Sequence, residues 1–304
     1  MNTFEVIYED DSILVCYKPA GIATQTKRLG QQDMESLLKN YRAKKKETPY
    51  IGIVHRLDQP VEGVMVFAKT QKATAELSRQ VQQRSIGKRY YAISRVSEVQ
   101  KIQMKGNQNQ KNQMQKRQTQ DTQEGESRVG ADAEGYLTLT DYLTFDAKKN
   151  LGAVVSKEEG LNQQETKQSA KENVGRKSRQ TSDNISGKKT RRYGNAKKAV
   201  LEYKICGVHE DKVMLDILLH TGRHHQIRLQ MANAGYPLVG DQKYGESQRK
   251  EQLALCSYFI EFVHPDTKKK MTFSIKPKNE LFEEFNGYCS YISEIDKKIC
   301  QACL

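Results

Sequence analysis

IGIVHRLDQPVEGVMVFAKT, the stretch from residue 51 to residue 70, is the densest apolar block of the chain. Two apolar runs flank a polar loop that carries Asp58 and ends at Gly63. Apolar runs bounded by Pro and Gly predict two strands with a loop between them. The loop would hold a carboxylate between two rigid elements.

The sequence around this block continues with strand and helix patterns. Residues 4–15 show short apolar bursts broken by an acidic turn, which predict a hairpin, and a short helix is expected over 34–40. Apolar residues at four-residue spacing predict an amphipathic helix over 70–85, with Gly87 suited to its C-terminal cap. A strand follows over 88–94.

The C-terminal half is again rich in short strands. GYLTLTDYLTFDAKKNLGAVV has strand character, and KVMLDILL alternates so that one face is apolar, which predicts a half-buried strand over 213–219. A helix containing Ile227 and Met231 comes next, before strands at 254–263 and 271–275. Many short strands with few helices predict an α+β catalytic domain with a central mixed, largely antiparallel sheet and an active-site cleft.

Two segments, 100–133 and 156–192, are dominated by Gln, Asn, Lys, Ser and Gly with almost no large apolar side chains. Such composition cannot offset the entropy cost of ordering a chain. We therefore predict one catalytic domain over 1–300, interrupted by a disordered polar insertion and a disordered basic insertion. The insertions are either solvated tethers or extra contacts for a polyanion.

The chain is strongly basic, with a formal net charge of +13 from 50 Lys and Arg against 37 Asp and Glu. This balance favours a polyanionic partner: RNA, DNA or an anionic membrane. No apolar run approaches the roughly 18 residues of a membrane span, and no signal peptide is visible at the start. We expect a soluble, cytoplasmic protein that acts as a monomer.

The six cysteines are scattered, and only Cys300 and Cys303 form a CxxC pair. Zinc would need two further ligands that the neighbouring sequence does not supply, so free thiols are the preferred interpretation. No metal site is expected.

Two polar blocks lie where predicted elements end: HRLDQPVEG at 55–63 and HTGRHHQIRLQ at 220–230. Together they offer one carboxylate and several cations. An enzyme that attacks a sugar or base in RNA needs a group that stays ionised beside a polyanion, and a nearby Arg favours the charged form of a carboxylate. Asp58 and an arginine of the second block fit that pairing.

The chain resembles the RluA-type family of pseudouridine synthases, and the resemblance covers nearly everything outside the two insertions. It rests on five stretches in family order: YEDDSILVCYKPAG at 8–21, HRLDQPVEGVMVFAK at 55–69, KRYYA at 88–92, HTGRHHQIRLQMANAGYPLVGDQKYG at 220–245 and FVHP at 262–265. The resemblance implies an enzyme that isomerises uridine to pseudouridine in ribosomal or transfer RNA without a cofactor.

The resemblance also implies residue roles. Asp58 would be the catalytic aspartate, attacking the ribose or assisting elimination. Tyr90 would stack on the target uracil, and Arg228 would hold Asp58 ionised. Further RNA contacts are expected from His55, Arg56, Lys69, Lys88 and Arg223.

Each role has a plainer alternative. Asp58 is also a common residue type before a turn proline, Tyr90 or Tyr91 could be an ordinary strand aromatic, and Arg228 could be a surface charge. The chain also departs from the family, which commonly has Thr-Ser-Gly where Val61-Glu62-Gly63 stands here. Glu62 would add a negative charge near the RNA site.

Two other functions remain open. The altered 61–63 run would suit a non-catalytic RNA-binding protein that retains the fold. A carboxylate-dependent nuclease or glycosidase would need clustered acidic ligands or a second catalytic carboxylate, for which Glu62 is the only nearby candidate.

Overall fold

The structure is a computed structural model that describes residues 4–26, 28, 30–97, 135–146, 148–155, 196–245 and 251–286. Within these ranges, none of the helices has the length and apolar character needed to cross a bilayer. The insertions predicted at 100–133 and 156–192, and the CxxC pair, lie outside the described residues.

Eleven strands of the described chain form one sheet. The strands are β1 (Glu5–Glu9), β2 (Ile13–Lys18), β3 (Gly52–Ile53), β4 (Glu62–Ala68), β5 (Gly87–Arg95), β6 (Leu137–Asp146), β7 (Leu151–Val155), β8 (Lys197–His209), β9 (Lys212–Leu219), β10 (Leu255–Val263) and β11 (Lys270–Ser274). The helices are α1 (Met34–Lys44), α2 (Gln71–Gln82), α3 (Gln226–Asn233) and a 3₁₀-helix (Glu280–Phe285). The predicted α+β class is confirmed.

The strand order is β1-β2-β4-β10-β5-β9-β8-β6-β7, with β3 paired to β4 and β11 paired to β10. Neighbouring strands run antiparallel except for β4 and β10, which are parallel and place Glu62 opposite Cys256 and Gly63 opposite Ser257. The sheet is therefore mixed and largely antiparallel, as predicted, and its one parallel contact lies next to the Asp58 loop.

Gly63 is required at this contact. Its φ of +148° is one that side chains rarely adopt, and a Cβ at this position would lie 2.5 Å from Cβ of Ser257 and 2.6 Å from its carbonyl oxygen. Glycine is the one residue that allows such a close approach of two backbones. Gly63 thus allows the chain to pass directly from the Asp58 loop into β4 and to pair there with β10.

Gly63→Ala is expected to lower the free energy of unfolding by about 2–4 kcal/mol, because it adds backbone strain to a steric clash. Urea denaturation measures the loss. Gly21→Ala is the matched control: Gly21 also has a positive φ, +87°, but nothing lies within 4 Å of an added Cβ. Equal losses in the two variants would contradict the steric part of this explanation.

Both faces of the sheet are covered. On one face Met34 and Leu38 of α1 and Met231 of α3 join the core, while on the other Phe282 and Phe285 of the 3₁₀-helix pack on the sheet. The prediction of a half-buried strand over 213–219 is therefore wrong, because Met214 on its second face is also buried.

Helix α2 starts as predicted and ends earlier than predicted. Its N-cap is Thr70, whose side chain accepts a hydrogen bond from the Ala73 N–H. The predicted cap at Gly87 is wrong, because Arg84 takes the left-handed conformation instead, with φ of 57°. Gly87 is the first residue of β5, where it pairs with Glu261 of β10.

Candidate active site

Two buried side chains, Lys18 and Thr24, form hydrogen bonds with the backbone of the loop that carries Asp58. The ammonium of Lys18, at the end of β2, donates hydrogen bonds to three carbonyl oxygens: Pro19 at 2.9 Å, Gln59 at 3.3 Å and Val61 at 2.7 Å. The Thr24 hydroxyl bonds the carbonyl and the N–H of Leu57, at 2.9 and 3.1 Å. Burial lowers the pKa of Lys18 to about 7. The loop backbone on both sides of Asp58 is thereby fixed.

Asp58 lies in a cleft with a volume of about 730 Å³. Four parts of the chain line it: the stretch from β3 through the Asp58 loop, the end of α2 with the start of β5, the stretch from β9 into α3, and Leu255 of β10. The side chain of Asp58 is 25% exposed, so a ligand can reach its carboxylate. The volume falls in the usual range for a small-molecule or nucleotide site.

Arg228 projects from α3 into this cleft but is bound mainly to another carboxylate. Its Nε and Nη2 donate to the two oxygens of Asp241 at 2.8 and 2.7 Å, whereas Nη1 lies 3.5 Å from Oδ2 of Asp58. Both Arg228 and Asp241 are buried. Burial opposes the charge of Asp241, but the hydrogen bonds from Arg228 outweigh it and the pKa of Asp241 lies below its usual value. Arg228 is therefore not a surface charge. Its buried ion pair with Asp241 holds its guanidinium in position beside Asp58.

His225 completes the wall beside Asp58. Its Nε2 lies 3.6 Å from Oδ2 of Asp58, and its Nδ1 is 2.7 Å from the hydroxyl of Tyr244. Burial and the nearby charge of Arg228 lower the pKa of His225 to about 3, so the ring is neutral at physiological pH. The residue also has a positive φ of 52° at the start of α3. Such strain is common at functional sites.

Tyr90 and Tyr91 lie on opposite faces of β5, as strand geometry requires. Tyr90 lines the cleft with Asp58. Tyr91 instead stacks on Tyr258 in the core of the other face, with ring centroids 3.7 Å apart and an angle of 8° between the planes. Burial raises the pKa of Tyr90, so its ring stays uncharged. Of the two tyrosines, Tyr90 is the one that can meet a ligand.

Three of the predicted RNA-binding cations line the cleft. Arg56 is exposed and its Nη2 donates to the side-chain oxygen of Gln25 at 2.8 Å. Arg223 donates from Nε to the Lys198 carbonyl at 3.0 Å. Lys88 is half-buried at the start of β5, and burial lowers its pKa to about 8.

His55 also lines the cleft, but its ring is buried. Its Nε2 accepts a hydrogen bond from the Val66 N–H at 3.1 Å, and burial holds its pKa well below the usual value. A neutral, buried ring offers no charge to a phosphate. The hydrogen bond from Val66 makes His55 join the loop to β4, and its RNA contact stays a prediction.

Lys69 is not among the residues that line the cleft, and its RNA contact stays a prediction. Its ammonium is buried and pairs with Glu9 at 2.8 Å and with Glu47 at 3.2 Å. Lys69 follows the last residue of β4, at the end remote from the Asp58 loop.

Glu62 is also placed differently from the expectation. Its carboxylate is buried, accepts the Tyr17 hydroxyl at 2.6 Å and accepts the backbone N–H groups of Lys278 and Asn279 at 3.1 Å. It is not among the residues that line the cleft. Glu62 therefore connects the start of β4 to the segment before the 3₁₀-helix and adds no charge to the ligand site.

Asp58, His224 and His225 are the described residues whose ligand atoms come close enough together, within 4.8 Å, to hold a metal ion. A cation there would have to compete with Arg228, which already lies 3.5 Å from Asp58. The expectation of no metal stays a prediction.

The site residues that the sequence did not predict include Lys18, Asp241 and Tyr244. A signal existed for the first, since a lysine directly after the apolar run ILVCY predicts a buried ammonium that needs partners. Asp241 follows the apolar pair Leu238 and Val239 after one glycine, which is a weaker signal.

The chain is similar to known proteins over most of its length. The model of the family described as RNA pseudouridylate synthase matches residues 12–233. The ribosomal large subunit pseudouridine synthase D of Pseudomonas aeruginosa is 28% identical over 92% of this chain and 69% of its own length. The dual-specificity RNA pseudouridine synthase RluA of Vibrio vulnificus is 28% identical over 86% of this chain and 78% of its own.

A solved structure shares the fold. The human RNA pseudouridylate synthase domain containing 4 superposes with a TM-score of 0.57 over 92% of this chain and 90% of the human one, at 16% sequence identity. Identity at this level supports the fold alone. The residues matched by the family model include Asp58, Tyr90 and Arg228.

Proposed function

Because the chain belongs to the RNA pseudouridylate synthase family, we propose that Asp58 is the nucleophile with which it isomerises selected uridines of structured RNA. The observation that supports this most is the arrangement around Asp58. A partly exposed carboxylate on a braced loop shares one cleft with an uncharged aromatic ring and a fixed arginine.

The reaction replaces one bond between ribose and uracil with another. The bond between C1′ of the ribose and N1 of uracil breaks, the base turns, and a bond forms between C1′ and C5. The proton leaves C5 and N1 gains one, so no oxidant, reductant or water is consumed. Asp58 acts at the sugar, either by attack at C1′ or by assisting elimination, and Arg228 keeps a positive charge beside it.

Uridine must leave its stack to reach this carboxylate, at a cost of a few kcal/mol. Tyr90 offers the extruded base a ring to stack on, and its buried position in β5 holds that ring in one place. Arg56, Lys88 and Arg223 bind the flanking phosphates, as Arg and Lys do in most RNA contacts.

The two rival functions lose their support. A hydrolytic nuclease or glycosidase needs a second acidic group, yet Asp58 is the only acidic residue among the described residues that line the cleft. A non-catalytic RNA-binding protein was suggested by Glu62, whose carboxylate is occupied elsewhere.

The proposed substrate is ribosomal or transfer RNA, and the proposed enzyme is a cytoplasmic monomer that needs no cofactor. The test is to incubate the purified full-length protein with ribosomal and transfer RNA and to analyse the nucleosides by mass spectrometry after chemical labelling of pseudouridine. We expect new pseudouridine in an intact strand. Shortened fragments or free uracil would instead indicate hydrolysis.

Lys69→Met is expected to lower the free energy of unfolding by about 1–3 kcal/mol, since it leaves Glu9 and Glu47 without their buried counter-charge. Lys45 and Tyr41 still bind Glu9, which limits the loss. The dependence of RNA affinity on salt should not change. A loss of RNA affinity as large as that of Arg223→Gln would identify Lys69 as an RNA contact.

A further inference from the structure

Several cations that line the cleft have no acidic partner among the described residues. Outside the cleft, Arg42, Arg79 and Arg95 each form ion pairs with carboxylates. Inside it, no carboxylate of the described residues lies within ion-pair distance of four cations. They are Arg56, Arg84, Lys88 and Arg223. Four cations without an acidic partner among the described residues give the cleft a positive potential that favours an anionic ligand.

Arg84 is the one of these four that the motifs did not point to. It follows α2 in the turn to β5, where its left-handed conformation is held by a hydrogen bond from its N–H to the Val81 carbonyl at 3.2 Å. Arg223 stands on the turn between β9 and α3, tied by Nε to the Lys198 carbonyl. The two turns come from separate segments and line the same cleft.

The charges of these two arginines influence each other. Burial lowers the pKa of Arg223, and the nearby charge of Arg84 lowers it further. Two guanidinium groups held in one cleft repel each other unless an anion lies between them. A phosphate has several oxygens that can accept charge-assisted hydrogen bonds from two guanidinium groups at once.

We propose that Arg84 and Arg223 together bind a single backbone phosphate of the RNA substrate. The inference rests on the proposed function for the identity of the anion. It adds a specific phosphate subsite, formed by the α2–β5 turn and the β9–α3 turn, and it assigns Arg84 to substrate positioning. Arg84 does not touch the reacting atoms.

The test measures RNA affinity as a function of salt, with a fluorescently labelled ribosomal RNA hairpin and with Asp58→Asn as the common background, so that binding is read without turnover. Arg84→Gln and Arg223→Gln should each weaken binding about 3- to 10-fold. In the double variant the slope of log affinity against log salt should fall by about 0.7–0.9 in total, the value for one phosphate.

The double variant decides whether the phosphate is shared. Two separate phosphates would lower the slope by about 1.4–1.8 and overturn the proposal, as would an unchanged affinity in Arg84→Gln. Arg79→Gln is the matched control, since Arg79 lies on α2, is exposed and is paired with Glu76. An equal loss in the control would mean that net charge alone matters, which also overturns the proposal.

Failure of the proposed function is detected separately. Wild-type protein that binds the hairpin but forms no pseudouridine in any RNA would sink the proposed reaction. The salt slopes of the arginine variants would still report whether a shared phosphate subsite exists.

Discussion

Asp58→Asn protein is expected to bind RNA as the wild type does and to form no measurable pseudouridine. The amide has the shape of the carboxylate but cannot attack a sugar, so the single-turnover rate should fall by at least about 10⁴-fold. The loop should survive, because Lys18 and Thr24 hold its backbone and not the Asp58 side chain. Stability should change little, since Arg228 keeps Asp241 as its main partner.

Rate and affinity are measured on the same preparation, with pseudouridine quantified by mass spectrometry. Asp211→Asn is the matched control: it makes the same chemical change at an exposed carboxylate that lies 3.7 Å from Arg95. The control should keep the wild-type rate. Turnover by Asp58→Asn within tenfold of wild type would show that another group is the nucleophile.

Arg228→Gln should lower both stability and activity. Stability falls because the carboxylate of Asp241 loses its counter-charge. This carboxylate is fully buried, and removal of one partner of a buried ion pair costs about 3–5 kcal/mol. The backbone N–H groups of Lys243 and Tyr244, which also donate to Asp241, would recover part of that loss. Activity should fall as well, because Asp58 loses the cation at 3.5 Å.

The double variant Arg228→Gln with Asp241→Asn separates the two effects. Both charges are gone, while Asn still accepts the hydrogen bonds from Lys243 and Tyr244. Urea denaturation should show most of the stability restored, and the single-turnover rate should stay low. Recovery of the rate together with stability would mean that Arg228 acts only through the fold. A stability loss below about 1 kcal/mol in Arg228→Gln would contradict the buried pair.

Local patterns predicted the elements well, because each strand and helix shows its own periodicity. The errors arose where residues distant in the sequence determine the burial or the conformation of an element. The second face of β9 is covered by Phe282 and Phe285, which lie about 70 residues further on and carry no local signal. Gly87 looked like a helix cap, but its pairing with Glu261 across the sheet sets its conformation.

The site was predicted from motif resemblance more than from chemistry. Asp58, Tyr90 and Arg228 lie in three separate stretches, and the structure brings them into one cleft. The pairing of Arg228 with Asp241 could not be read from sequence, since several carboxylates were possible partners. Glu62 could have been placed correctly, because alternation along a strand puts it on the opposite face from Val61, which lines the cleft.

The parallel contact between β4 and β10 also sets the order in which the protein can fold. In the chain β4 and β5 are separated only by α2, yet in the sheet β10 lies between them. A growing chain must therefore leave one edge of each strand unpaired until residues 255–263 have been made. Contacts of such long range close slowly, and open edges invite pairing with other chains. Asp58 and its cleft come together late, when nearly all of the described chain has been synthesised.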